Sequence, residues 1–122
     1  MLNGSTTVVY EGKPVGTPDA SAFFRILHDH KVVGSFWSPT ALRIIRQNDP
    51  ENKHSSKYNL NHFRSLFVAG EHCDRDTLMW AREVFADKPV VDHYWQTETG
   101  APVTAVCLGL EKNPVRFLFS FS

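Results

Sequence analysis

The sequence predicts an α/β domain in which strands alternate with helices around a mostly parallel sheet. Three observations predict it. Short β-branched or apolar runs recur along the chain, helical periodicity fills the intervals between them, and proline or acidic caps mark the helix starts. With 122 residues, 42% of them hydrophobic, there is room for one domain and a modest core.

Thr6 to Tyr10 is β-branched and aromatic, a strand by composition. A Gly- and Pro-rich loop follows, and Thr17-Pro18-Asp19 reads as a helix start with proline in the first turn. Ala20, Phe23, Phe24 and Leu27 then fall at i, i+3, i+4 and i+7, the apolar stripe of a helix. Val32 to Trp37 is a second strand. Ser38-Pro39 repeats the cap-then-proline signal, and Ala41, Ile44 and Ile45 give the next helix its apolar face. Asn48 to Asn61 is polar and aperiodic, a surface loop. Ser65 to Ala69 is a third strand that stops at Gly70. Asp74 or Asp76 can cap a third helix with Leu78, Ala81 and Phe85 on one face. After Pro89, Val90 to Trp95 forms a fourth strand.

Composition excludes several classes. Lys plus Arg and Asp plus Glu each total 13, so no basic face is available for nucleic acid or an anionic membrane surface. No run approaches the ~20 apolar residues of a membrane-spanning helix. Met1-Leu2-Asn3-Gly4 has neither the charged flank nor the apolar core of a signal peptide, so no targeting segment is expected in this chain. Cys73 and Cys107 fit no metal or redox spacing and read as small core thiols in a reducing compartment. His28 and His30 lie two apart, a spacing that does not share a helix face, so the pair is not a metal site. Nothing in the composition fixes the oligomeric state.

In open parallel sheets, ligands sit outside the carboxyl ends of the strands. Two such ends carry unusual residues: Gly70-Glu71-His72 after the third strand, and Tyr94 to Thr99 after the fourth. If those strands are neighbours, both turns face one crevice. Trp95 alone reads as a core aromatic and Glu98 alone as a solvated loop charge; within the six-residue run Trp95-Gln96-Thr97-Glu98-Thr99-Gly100 they acquire a different meaning.

That run resembles the signature of the adenylate-forming (AMP-binding) enzymes, and within them the short-chain acyl-CoA synthetases of the mitochondrial propionate/acetate–CoA ligase type. Thr6-Thr-Val-Val-Tyr-Glu-Gly-Lys-Pro14, Ser38-Pro39-Thr40-Ala41-Leu42-Arg43 and Ala69-Gly70-Glu71 support it, in the family's order and at about its spacing. The resemblance covers residues 1–111, a segment of the large domain, and leaves 112–122 as a divergent hydrophobic tail. It implies a ligase that joins a short carboxylic acid, propionate or acetate, to CoA through an acyl-adenylate, with ATP and Mg2+ required and a location in the mitochondrial matrix. Small acid, ATP and CoA are then the partners of the full-length enzyme. By position, Gly70, Glu71, His72 and Asp92, His93, Tyr94, Trp95, Gln96, Thr97 would line the nucleotide, with Tyr94 stacked on adenine and Thr97 at the α-phosphate. Glu98 would hold magnesium, and Thr97 and Glu98 would be the catalytic pair. Ala69 and Trp95 would face each other across the acyl pocket.

The sequence departs from the family in lacking a Ser/Thr/Gly-rich phosphate loop; Gly12-Lys13-Pro14-Val15-Gly16 has no Gly-Lys-Ser/Thr ending and places a proline among the amides. The lysine-bearing C-terminal domain of the family is also not represented. The expectation is a piece of a synthetase that forms no acyl-adenylate by itself. The rival expectation is a non-catalytic truncated product that binds nucleotide weakly or only a protein partner.

Overall fold

Helix α1 (Ala22–Asp29), strand β1 (Gly34–Trp37), helix α2 (Pro39–Asn48), strand β2 (Ser65–Val68), helix α3 (Arg75–Val84), strand β3 (Val90–Trp95) and strand β4 (Pro102–Ala105) follow one another in the computed structural model, which describes residues 4–106 except Thr17 and Asp87. The strands lie in the order β1-β2-β3-β4. β1, β2 and β3 run parallel, in a register that brings Trp37 beside Val68 and Val68 beside Asp92. β4 returns antiparallel to β3, with a bulge at Tyr94/Trp95.

The helix starts follow the caps. In α2 the Ser38 hydroxyl accepts the Ala41 amide at 3.2 Å and Pro39 fills the first turn, where its missing N–H costs nothing. In α3 the cap is Asp74, which accepts the Thr77 amide at 2.9 Å, and Asp76 lies in the first turn. α1 begins later than its proline suggests. Asp19 accepts the Ser21 amide at 2.8 Å and also bonds the Ser21 hydroxyl, so an aspartate turn occupies the chain before Ala22.

The core lies on one face of the sheet. Trp37, Leu66, Val68 and Val90 meet Phe24 and Leu27 of α1, Leu42 and Ile45 of α2, and Leu78 and Ala81 of α3 in a single cluster. At its centre Phe85 packs against Phe63, Phe24 and Trp37 at ring separations of 5.0, 5.5 and 5.5 Å. All three helices therefore cover that face. The opposite face carries Phe36, Phe67, Val91 and His93, with Phe36 and Phe67 exposed and their rings edge-on to the His93 imidazole.

The structure differs from the expectations at four further places. Thr6 to Tyr10 forms no strand: it has no ladder partner among the described residues, and Val8, Val9 and Tyr10 are exposed. A cleft of about 940 Å³ lies between this segment, α1 and the free edge of β1, so strand composition here lacks the pairing that makes a strand. Val32 and Val33 stay outside β1. The polar 48–61 segment is more than a surface loop, because Asp49 is buried and accepts the His54 and Ser55 amides at 3.0 and 2.9 Å, folding a 3-10 turn at Ser55–Lys57. β4 was not legible in advance: Pro102 sits at the first residue of a four-residue edge strand, where no ladder N–H is needed. Cys107 and the tail at 112–122 lie outside the described residues.

Candidate functional site

Because β2 and β3 are parallel neighbours, the turns that follow them lie side by side at the carboxyl edge of the sheet. Gly70-Glu71-His72 and Gln96 to Gly100 thus follow adjacent parallel strands at one edge of the sheet.

The second turn splits its residues between construction and display. Thr97–Thr99 is a 3-10 turn, and its Thr99 hydroxyl accepts the Gln96 amide at 3.2 Å. The same hydroxyl lies 2.8 Å from the Gln96 carbonyl and 2.9 Å from that of Ala101, one of which takes its proton. Gly100 ends the turn at φ +63, a left-handed conformation that a Cβ would strain. Gln96 donates its amide to the Tyr94 hydroxyl. Gln96, Thr99 and Gly100 therefore build the turn, while the side chains of Thr97 and Glu98 are exposed on it.

Strand alternation separates the two aromatics. Asp92 takes the helix-covered side with Val68, whereas Val91 and His93 take the open side with Phe67; because the extra residue of the bulge, Val103, lies in β4, alternation along β3 assigns Tyr94 to the side of Asp92 and Trp95 to that of His93. Continuing β2 by the same alternation puts Ala69 on the side of His93 and Trp95. Tyr94 (40% exposed) and Trp95 (43% exposed) can thus touch two different parts of one ligand laid across the strand end. Ala69 is buried, with its amide 3.4 Å from the Trp37 carbonyl. His93 is buried too, and its Nδ1 has no hydrogen-bond partner among the described residues.

The first turn is held by groups that sequence reasoning did not single out. Arg43 on α2 donates from Nε to Asp74 at 2.9 Å, from one terminal nitrogen to Glu71 at 2.9 Å, and from the other to the His72 carbonyl at 2.8 Å. Thr40 donates its amide to Glu71 at 2.9 Å and its hydroxyl to the same oxygen. Gly70 enters the turn at φ +100, which only glycine adopts without strain.

The charges follow from these contacts. The Glu71 carboxyl is held below its ordinary value by the Thr40 hydroxyl and then by Arg43. Burial works to raise Asp74, but the Thr77 amide, Arg43 and the Thr77 hydroxyl together hold it down to about 2. Asp92 moves the other way: burial raises it, against opposing contributions from His72 and from the Cys73 amide that it accepts. Cys73 is fully buried, and desolvation followed by the nearby Asp92 and Asp74 charges pushes its thiol up to about 12, so it stays protonated and is no nucleophile.

Among the described residues no group of three His, Cys, Asp or Glu is placed to hold a metal. Magnesium does not require one. It keeps several waters and is commonly held by one carboxylate and the oxygens of a bound phosphate, and the exposed Glu98 carboxylate beside the Thr97 hydroxyl fits that donor set. No helix of the described residues is long and apolar enough to cross a membrane.

The family model for AMP-binding enzymes matches residues 1–116. The chain is 58% identical over 110 residues to the human acyl-CoA synthetase short-chain family member 3, mitochondrial, which covers 90% of this chain and 16% of that protein. The mouse protein of the same name matches at the same 58% over 110 residues. The propionate–CoA ligase of Escherichia coli K12 is 36% identical over 116 residues, 95% of this chain and 18% of that one. This chain therefore spans about a sixth of the length of the curated relatives it matches, 16% for the mouse and human proteins. Among solved structures, the luciferase-like enzyme from the nonluminescent Zophobas morio mealworm superposes with a TM-score of 0.52 at 20% identity, covering 62% of this chain and 17% of that one, a likeness of fold.

Proposed function

This chain belongs to the AMP-binding enzyme family, and we propose that it is the segment of an ATP-dependent short-chain acid–CoA ligase that binds the adenylyl group and the acyl chain. The observation that carries this is the placement of the Trp95-to-Gly100 run and the Gly70-Glu71-His72 turn at the carboxyl ends of adjacent parallel strands. The reaction of such a ligase has two steps. A carboxylate oxygen attacks the α-phosphorus of ATP and expels pyrophosphate; the CoA thiolate then attacks the acyl carbon and expels AMP.

In this segment Tyr94 stacks on the adenine through its exposed ring face, with its hydroxyl tied down by Gln96. Gly70, Glu71, His72, Asp92 and His93 shape the nucleotide end of the crevice. Thr97 offers its hydroxyl to the α-phosphate, where negative charge concentrates during transfer. Bound at Glu98, magnesium would supply charge neutralisation at the phosphates. On the opposite side of β3, Trp95 and Ala69 wall the acyl group, and the small Ala69 leaves room for propionate. The work of the segment is positioning and electrostatic stabilisation. By relation to the mitochondrial proteins named above, the matrix is its location.

Titration of the chain with ATP and magnesium, followed by tryptophan fluorescence, tests the proposal. Tyr94→Phe keeps the stacking face and retains affinity, whereas Tyr94→Ala loses about 1–3 kcal/mol of stacking. Equal affinity of the alanine variant and the wild type contradicts the adenine assignment.

A further inference from the structure

We propose that Arg43, outside the ligand-lining set, is a positioning residue that fixes the Gly70-Glu71-His72 turn for the nucleotide. The inference rests on the nucleotide reading of that turn given above.

Gly70 is left-handed, and Gly70, Glu71 and His72 are all exposed. Arg43 supplies the restraint from α2. Its guanidinium spends its donors on three acceptors in consecutive parts of the turn: the Glu71 carboxylate, the His72 carbonyl and the Asp74 carboxylate. A planar fork can meet three acceptors in fixed directions, whereas a lysine ammonium on a flexible stem cannot. Asp92 holds the same segment from the other side, through the Cys73 amide. The turn is thus pinned to α2 on one flank and to β3, the strand that carries Tyr94, on the other.

Two consequences follow for what the turn offers a ligand. Glu71 uses one carboxylate oxygen on Thr40 and the other on Arg43, so it is committed to structure rather than to a cation. Its negative charge also occupies the N-terminal end of α2, where a phosphate would otherwise be favoured. The phosphates are thereby directed to the Thr97–Glu98 side of the crevice, and the Glu71 turn is left to the nucleoside.

The test compares the wild-type chain with Arg43→Gln, Arg43→Lys and Thr40→Val, with Lys53→Gln as a control that removes the exposed Lys53–Glu51 ion pair elsewhere. Amide hydrogen exchange over residues 70–74 and ATP affinity with magnesium are read together. Arg43→Gln is expected to speed exchange in 70–74, leave α1 unchanged, and weaken ATP roughly tenfold or more, the scale of a misplaced contact surface. Arg43→Lys fails to rescue either readout, and Thr40→Val, which leaves the helix start intact, shows a smaller loss of the same kind. Unchanged affinity in Arg43→Gln, or full rescue by lysine, overturns the positioning role. Faster exchange in Arg43→Gln together with a wild-type chain that binds no ATP overturns instead the nucleotide reading on which it rests.

Discussion

Replacing Asp74 by asparagine separates its charge from its cap. Asparagine caps a helix about as well as aspartate, so the Thr77 amide keeps an acceptor while the carboxylate that faces Arg43 at 2.9 Å is lost. In the folded chain Asp74 titrates at about 2 instead of its ordinary 3.8. A folded value below the unfolded one stabilises the fold above pH 3.8, and that stability is lost as pH falls towards 2. Carried in full, the drop would be worth about 2.5 kcal/mol. The Asp74 side chain is 45% exposed, and solvent screening reduces the figure to about 1 kcal/mol. Asp92 has the opposite sign, since its raised value favours the fold as acid protonates it, but it is common to both proteins and cancels in the comparison. Urea unfolding at pH 7, 4, 3 and 2 is the assay. Asp74→Asn should be about 1 kcal/mol less stable than wild type at pH 7, and the gap should close near pH 2. A gap that stays constant across the series would refute the argument, because the loss would then come from the cap or from packing.

Phe85→Ala removes the ring at the centre of the aromatic cluster, fully buried against Phe24, Phe63 and Trp37, and should cost about 3–5 kcal/mol in urea unfolding; a loss below about 1 kcal/mol would show that the cluster does not bear on stability. In a complete synthetase carrying this segment, Ala69→Val should lower kcat/KM for propionate more than for acetate, by the factor that about 1–3 kcal/mol per methylene gives. Trp95→Gly in the same enzyme should admit longer acids. A propionate-to-acetate ratio unmoved by Ala69→Val sinks the pocket assignment. ATP–pyrophosphate exchange by the 122-residue chain alone should stay at background, and robust exchange would overturn the expectation that a phosphate loop and a lysine from elsewhere are required.

The helices and the parallel strands were legible because their signals are local. Ser38-Pro39 and Asp74 announce the starts of α2 and α3, and most of each expected stripe is buried, although Phe23 and Ile44 are only half-buried and Leu42 is buried in α2 without having been expected there. What sequence did not carry was pairing. Thr6 to Tyr10 has strand composition without a partner strand among the described residues, and Pro102 to Ala105 has a proline that argues against a strand yet sits where an edge strand tolerates it. At the site, the Trp95-to-Gly100 run stood out by its specificity. Its division of labour did not, since only hydrogen bonds reveal that Gln96 and Thr99 build the turn on which Thr97 and Glu98 stand. Arg43 was likewise unreadable, because its three acceptors lie about thirty positions further along the chain and meet it only when α2 packs beside the β2 end.

On the function proposed above, the ends of β2 and β3 receive an acyl-adenylate. Amide chemical shifts of the isotope-labelled chain, titrated with a hydrolysis-resistant propionyl-adenylate analogue, test it most directly. Saturable shifts are expected at Gly70, His72, Tyr94, Trp95 and Thr97, with α1 and the cleft beside Val8 and Tyr10 unmoved. Shifts centred on that cleft, or none at the two strand ends at saturating analogue, would contradict it.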